Sequence, residues 1–143
     1  MLKRIPKILS PDLMKIMLEM GHGDDLLLAD GNFPAAACAR RLVRADGLGV
    51  PELLDAILQF FPLDSYVAKP VGLTAIVPGD TVTPTIWDEY KAIVQKHESK
   101  AVEFELIERF AFYERAKQAF AIVATGEKAL YANIILKKGV VTE

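Results

Sequence analysis

The chain predicts an α/β fold, with helices on both sides of a sheet. Two observations point to it. Short apolar runs of strand length alternate with segments whose apolar residues recur every three or four positions. Breaks rich in glycine, proline and aspartate separate these segments, the order expected of helices packed against a sheet. At 143 residues, positions 1–143 are expected to form a single domain with a core large enough to fold without staples.

Ser10-Pro11-Asp12 opens the first helix: serine caps, proline suits the first helical position, and aspartate complements the dipole. Leu13, Met14, Met17, Leu18 and Met20 form its apolar face, and Gly21 is expected to supply the left-handed C-terminal residue. Leu26 to Asp30 is a strand buried on both faces, broken by Gly31-Asn32-Phe33-Pro34. Residues 35–40 fit neither pattern, and Leu42 to Ala45 is a short strand before the Asp46-Gly47 turn. Val50-Pro51-Glu52 starts a helix through about Phe61, with Leu53, Leu54, Ile57, Leu58 and Phe61 inward. Val71 to Val77 is a strand closed by Pro78-Gly79-Asp80. Thr83-Pro84 caps a helix through about His97, whose Trp87, Tyr90, Val94 and His97 share one side. Val102 to Ile107 alternates as a strand, Phe112 to Ala119 is helical, and Phe120 to Ala124 and Asn133 to Leu136 are the last strands. There is no repeat, linker or low-complexity segment.

Composition narrows the function. A formal net charge of −2 leaves no basic footprint for nucleic acid. One cysteine, Cys38, precludes an internal disulfide and suits a reducing cytoplasm. The basic N-terminus lacks the apolar core of a signal peptide, and no run approaches the ~20 residues that span a bilayer. The hydrophobic share of 52% fits either a well-filled core or surface buried by oligomerisation.

Two separated blocks carry the polar chemistry: Met20-Gly21-His22-Gly23-Asp24-Asp25 before the first strand, and Gly126 to Leu136. His22 lies between two glycines at a strand entrance. It fits a general acid–base, since its ordinary pKa is near neutral, or a histidine placed at a helix terminus. Asp30 ends a buried strand, where ligands bind in α/β sheets; it can orient an imidazole or simply cap a turn. Tyr131 and Asn133, two apart, face one way along an extended segment and match the donor and acceptor pattern of sugar hydroxyls; a buried tyrosine beside a turn asparagine is the plainer reading. Arg109 precedes Phe110-Ala111-Phe112-Tyr113 and either clamps a hydroxyl-rich ligand or pairs with Glu105 or Glu108. Asp24 and Asp25 fit a solvated loop, and His97 a satisfied core or interface position.

Other chemistries lack their patterns. Only one histidine accompanies Asp24, Asp25 and Asp30, so no metal site is expected. Gly21-His22-Gly23 is not a dinucleotide fingerprint, and Cys38 has neither an elbow motif nor a neighbouring histidine.

The blocks together resemble the fucose mutarotase and ribose pyranase family over essentially the whole chain. The resemblance rests on Met20-Gly-His-Gly-Asp24, Asp30 with Phe33-Pro34, Arg44-Ala-Asp-Gly-Leu48, Leu63-Asp-Ser-Tyr66, Arg109-Phe-Ala-Phe-Tyr-Glu-Arg115, Ala119-Phe-Ala-Ile-Val123, Thr125-Gly-Glu127, Tyr131-Ala-Asn-Ile134 and Leu136-Lys-Lys-Gly139. The Arg109–Arg115 block resembles the fucose branch in particular, while Gly31-Asn32 departs from the alanine-containing turn of the family.

The resemblance implies a three-layer α/β/α sandwich and a cofactor-free isomerase that interconverts the α and β anomers of a reducing sugar. For the fucose branch that sugar is L-fucose; D-ribose, or a non-catalytic role beside a sugar transporter, are the alternatives. It implies homo-oligomers, ring-shaped or smaller, a decamer among them, with the sugar pocket near a subunit boundary. It implies catalytic roles for His22, Asp30 and Tyr131, and sugar contacts from Arg109, Asn133 and Tyr113.

Overall fold

A computed structural model describes residues 1–143. Helix α1 (Pro11–Glu19) is capped by Ser10, whose hydroxyl accepts from the Leu13 N–H at 3.1 Å. It ends with Met20 already extended (φ −66°, ψ 140°), so Gly21 is not the left-handed residue expected there. That residue is Gly23, with φ 86°. The cause is a turn: the Asp24 N–H donates to the Gly21 carbonyl at 3.2 Å, and the Gly21 N–H to Asp24 Oδ2 at 2.7 Å. With Gly23 but not His22 at positive φ this is a type II turn, whose third residue requires that conformation.

The remaining elements are β1 (Asp25–Ala29), α2 (Ala35–Cys38), β2 (Leu42–Ala45), α3 (Val50–Leu58), β3 (Val71–Thr74), α4 (Ile86–His97), β4 (Phe104–Ile107), α5 (Arg109–Gln118), β5 (Ala121–Thr125) and β6 (Ile134–Lys137). The ambiguous segment contains the four-residue α2. β3 stops at Thr74 rather than Val77. α5 begins three residues before the periodicity suggests, because Glu108 caps it by accepting from the Phe110 and Ala111 N–H groups at 2.9 and 3.1 Å.

The strands form one sheet in the order β2-β5-β1-β6-β3-β4. β2, β5 and β1 are parallel, as are β3 and β4. β6 lies between β1 and β3 and runs against both. The C-terminal ends of five strands and the N-terminal end of β6 therefore share one edge of the sheet.

Strand side chains alternate between two cores. Leu26, Leu28, Val123, Ile134 and Leu136 face α1, α3 and α4 in a cluster of 26 buried residues. Leu27, Ala29, Ile122 and Ile135 face α2 and α5 in a cluster of nine. The molecule is thus a three-layer α/β/α sandwich, with one layer much thinner than the other. No helix is long and apolar enough to cross a membrane.

A polar bond ties α3 to α4. Asp55 Oδ1 lies 2.7 Å from His97 Nε2 and 2.9 Å from Lys96 Nζ. The His97 contact first, and then Lys96, hold the Asp55 carboxyl below its ordinary range. A carboxyl whose folded pKa is depressed stabilises the fold above its unfolded pKa, and that contribution is lost as pH falls through the folded value. Asp55→Asn should therefore lower the Tm at neutral pH, with the deficit closing below about pH 4. Thermal unfolding of both proteins across pH checks this; a deficit independent of pH would exclude the ionic origin.

Candidate functional site

The shared sheet edge holds a cleft of about 320 Å³. β1 delivers Asp30 to it, β3 delivers Thr74, α5 begins it with Arg109, Phe112 and Tyr113, and the segment before β6 brings Leu130, Tyr131 and Asn133. Asn32, Phe33, Val77 and Asp80 complete the lining. Five of the six candidate residues, Asp30, Arg109, Tyr113, Tyr131 and Asn133, thus meet around one space.

Asp30 is the buried anchor, 7% exposed. Its N–H donates to Asn133 Oδ1 at 2.8 Å, and its Oδ1 accepts from the Asn32 N–H at 3.0 Å. Burial pushes its carboxyl above the ordinary value, partly offset by the backbone N–H groups of Asn32, Phe33 and Ala132 and by the Asn133 side chain. With Asn133 Oδ1 accepting from Asp30, the asparagine amide nitrogen is left to donate.

Tyr131 differs from the extended conformation expected of it. Its φ is 56°, in the left-handed region that a bulky residue rarely enters. Four hydrogen bonds hold it there. The indole N–H of Trp87 donates to the Tyr131 carbonyl at 2.8 Å. The buried Tyr90 hydroxyl donates to the Ala132 carbonyl at 2.6 Å. The Tyr131 hydroxyl donates to Asp80 Oδ2 at 2.6 Å and accepts from the Val77 N–H at 3.2 Å. The Asp80 bond is the main reason the Tyr131 phenol is pushed above its ordinary pKa, so it stays protonated at neutral pH. Burial does the same to Tyr90.

Glu127 supports the same loop from behind. Its carboxylate accepts from the Val50 N–H at the start of α3 and from the Lys128 and Ala129 N–H groups, all within 3.1 Å. Gly126 must be glycine for space: a Cβ there would overlap the Asp46 carbonyl oxygen.

The acidic neighbours of Arg109 are committed elsewhere. Glu105 pairs with Arg115 at 2.9 Å, and Glu108 caps α5. The Arg109 guanidinium instead lies 5.5 and 5.8 Å from the Phe110 and Tyr113 rings, facing the cleft. Phe33 packs on Phe112 and Tyr113 at centroid distances of 6.0 and 5.6 Å, giving the cleft an aromatic wall. The hydroxyl of Thr74, also in the lining, is buried without a hydrogen-bond partner.

His22 is not in this cleft. It sits in the turn before β1, whereas Asp30 follows β1, and the five residues of that strand put them about 17 Å apart. The expected pairing of His22 with Asp30 does not occur within the chain. The carboxylate beside His22 is that of Asp64, with Nε2 to Oδ1 at 3.0 Å. Sequence reasoning did not single out Asp64 or Asp80. Their partners lie 42 and 51 positions away, and only the Leu63–Tyr66 match drew attention to Asp64.

A small cleft with a buried carboxylate, an amide, a phenol, a guanidinium and an aromatic wall defines a protein that binds a small polyhydroxylated molecule. Residues 3–141 match the RbsD / FucU transport protein family, and the chain belongs to that family. It is 49% identical over 140 residues to an L-fucose mutarotase of Actinobacillus pleuropneumoniae serotype 5b (strain L20), covering 98% of this chain and 97% of that one. It is 51% identical over 147 residues to the fucose mutarotase of Bos taurus, covering 97% and 94%. Among solved structures it is similar to the fucose mutarotase from Streptococcus pneumoniae in complex with L-fucose, with 53% identity, a TM-score of 0.94, and 99% and 100% of the two chains covered.

The raised pKa of Asp30 has a stability consequence. Burying its carboxylate opposes folding at pH values above the folded pKa, and the penalty is relieved as pH falls through that value toward the unfolded one. Asp30→Asn should match or exceed the wild-type Tm at neutral pH, with any gain vanishing below about pH 4. A clear loss of Tm at neutral pH would show that the carboxylate is a net support of the fold.

Proposed function

We propose that this chain is an L-fucose mutarotase, an isomerase that interconverts α- and β-L-fucopyranose by opening and reclosing the ring. One observation carries this reading. Asp30, Arg109, Tyr131 and Asn133 converge on a sugar-sized cleft in a chain similar over nearly its whole length to fucose mutarotases. The reaction removes a proton from the anomeric hydroxyl and delivers one to the ring oxygen. The bond between C1 and the ring oxygen breaks, leaving an aldehyde. The C1–C2 bond turns, and the hydroxyl adds back to the other face. No electrons leave the sugar, so the chemistry requires no redox cofactor.

Asp30, Asn133, Arg109 and Tyr131 hold the sugar hydroxyls. Phe33, Phe112 and Tyr113 offer the fucose methyl group an apolar wall. Tyr131 is a protonated phenol and assists by turning its hydroxyl proton from Asp80 to the sugar. His22 is the general acid–base. Because β1 keeps it from the cleft of its own chain, and because 47% of its side chain is exposed, it serves the cleft of a neighbouring copy. The working enzyme is then a homo-oligomer, ring-shaped if each copy passes His22 to the next. Its place is the cytoplasm, in keeping with the single free thiol of Cys38.

NMR magnetisation transfer tests the activity. Substoichiometric protein should speed exchange between the L-fucose anomers, in chelator, with higher kcat/KM than for D-ribose. Binding without faster exchange would make the protein a sugar-binding accessory. Equal or better exchange of ribose would make it a ribose pyranase.

The shared site has its own test. His22→Ala and Asp30→Ala should each be inactive alone, with His22→Ala slowed roughly 10²–10⁴-fold. Assemblies formed by co-expressing both variants should recover activity, about a quarter of the wild-type rate for random mixing around a ring. Two inactive variants that never complement would place His22 and Asp30 in the same chain's site, or His22 in none.

A further inference from the structure

The cleft contains one polar side chain that the fold leaves without a partner. β3 reaches the cleft at its last residue, Thr74. Leu73 pairs with Ile134 of β6 in antiparallel register, so one step nearer the cleft Thr74 stands beside Asn133. Leu73 and Ile134 both point into the larger core, which turns Thr74 and Asn133 to the α5 face. Ile107, the β4 partner of Thr74, belongs to the smaller core on that face. Asp30, Asn133 and Thr74 therefore mark three neighbouring strands, about 10 Å from first to third at the usual spacing. A pyranose with its hydroxyls spans that distance. The polar groups around Thr74 are committed elsewhere. Asn133 turns its oxygen to the Asp30 N–H, on the side away from β3. Asp80 accepts from the Tyr131 hydroxyl and the Val82 N–H, and the Val77 N–H donates to Tyr131. The Thr74 hydroxyl is buried with no partner at all, although the residue as a whole keeps some surface in the cleft.

Resting on the reading of this cleft as a sugar site, we propose that Thr74 is a further substrate-binding residue: its hydroxyl bonds one of the non-reacting hydroxyls, on C2, C3 or C4 of the pyranose. A buried hydroxyl without a partner opposes folding, and a valine of nearly the same shape would fill the position without that cost. The cost is offset when a ligand brings the missing partner. A sugar hydroxyl can donate and accept at once, so it meets the threonine whichever way the proton lies. The staggered rotamers of threonine exchange hydroxyl and methyl with a turn of about 120°, so the hydroxyl can swing from the sheet to the sugar with no movement of β3. A contact to a non-reacting hydroxyl is made equally before and during ring opening. It therefore tightens binding and selects among sugars, and it leaves the chemical step alone. Asp30 and Asn133 hold one end of the sugar, and Thr74 reads the hydroxyl at the other.

Three measurements on the full-length assembled protein test this. In wild type carrying ¹³C-labelled threonine methyl groups, L-fucose should shift the Thr74 signal and change its χ1 couplings; a Thr74 signal that ignores saturating sugar overturns the proposal, whatever the variants do. Thr74→Val keeps the shape and removes the hydroxyl. Without sugar it should melt at or above the wild-type temperature. By calorimetry it should bind L-fucose about 3- to 10-fold more weakly, the factor of one hydrogen bond between uncharged groups. In exchange kinetics the same factor should fall on KM rather than kcat. The third measurement repeats the titrations with 2-, 3- and 4-deoxy-L-fucose. For one of them wild type and Thr74→Val should bind equally, which identifies the hydroxyl that Thr74 holds. Unchanged L-fucose binding by Thr74→Val, or the same loss with L-fucose and all three deoxy sugars, overturns the proposal. Binding by calorimetry does not depend on catalysis. A wild type that binds L-fucose without speeding exchange overturns the mutarotase reading, while these titrations still decide the role of Thr74. A wild type that binds no L-fucose overturns both.

Discussion

The hydrogen bond from the Asp30 N–H to Asn133 Oδ1 joins the end of β1 to the start of β6, and the cleft depends on it. The two residues meet only because β6 runs against both of its neighbours. In an all-parallel sheet, every strand would leave at the binding edge, and each would supply its outgoing loop. Here one strand enters at that edge, so the segment from Gly126 to Asn133 is drawn across the carboxyl ends of the others. A single side-chain amide then satisfies the backbone of the strand beside it through its oxygen and supports the Asp30 carboxylate through its nitrogen.

The entering segment carries strain, and the large core layer restrains it. Tyr131 holds a left-handed backbone that a loop in solvent would relax. Trp87 and Tyr90, both on α4, each reach a carbonyl of this segment, and Glu127 fastens its start to the first turn of α3. Helices on the thicker side of the sandwich therefore set the positions of polar groups at the edge. The thinner side, α2 and α5, contributes the aromatic wall and Arg109. Position comes from one layer and apolar complementarity from the other.

Much of this was legible in the sequence, for local reasons. Periodicity placed α1, α3 and α4, and the Leu26–Asp30 run marked a strand buried on both faces, since its alternate residues line two different cores. The start of α5 was missed because Arg109 to Ala111 are exposed or polar and its cap is a glutamate, which the usual capping rules do not favour. Gly21 follows the helix and so reads locally as the left-handed residue, whereas the Asp24 side chain builds a turn that passes this task to Gly23. Residue types at the site were legible, but their partners were not. Nothing local in a sequence reports that His22 faces Asp64 or that Tyr131 faces Asp80, because those pairs form only when distant strands assemble.

β1 is the part of the chain whose length evolution cannot adjust. Leu26 to Ala29 are wholly inaccessible to solvent, with alternate residues committed to opposite cores and to fixed partners on β5 and β6. One residue more or less would turn each side chain to the wrong layer and shift Asp30 out of register with Asn133. The histidine turn at one end and the carboxylate at the other are thus separated by a fixed ruler. The lining residues Asn32, Val77 and Leu130 and the start of α5 lie outside that strand and its register. A lineage of such proteins can diversify the molecule it holds while inheriting unchanged the span between these two ends.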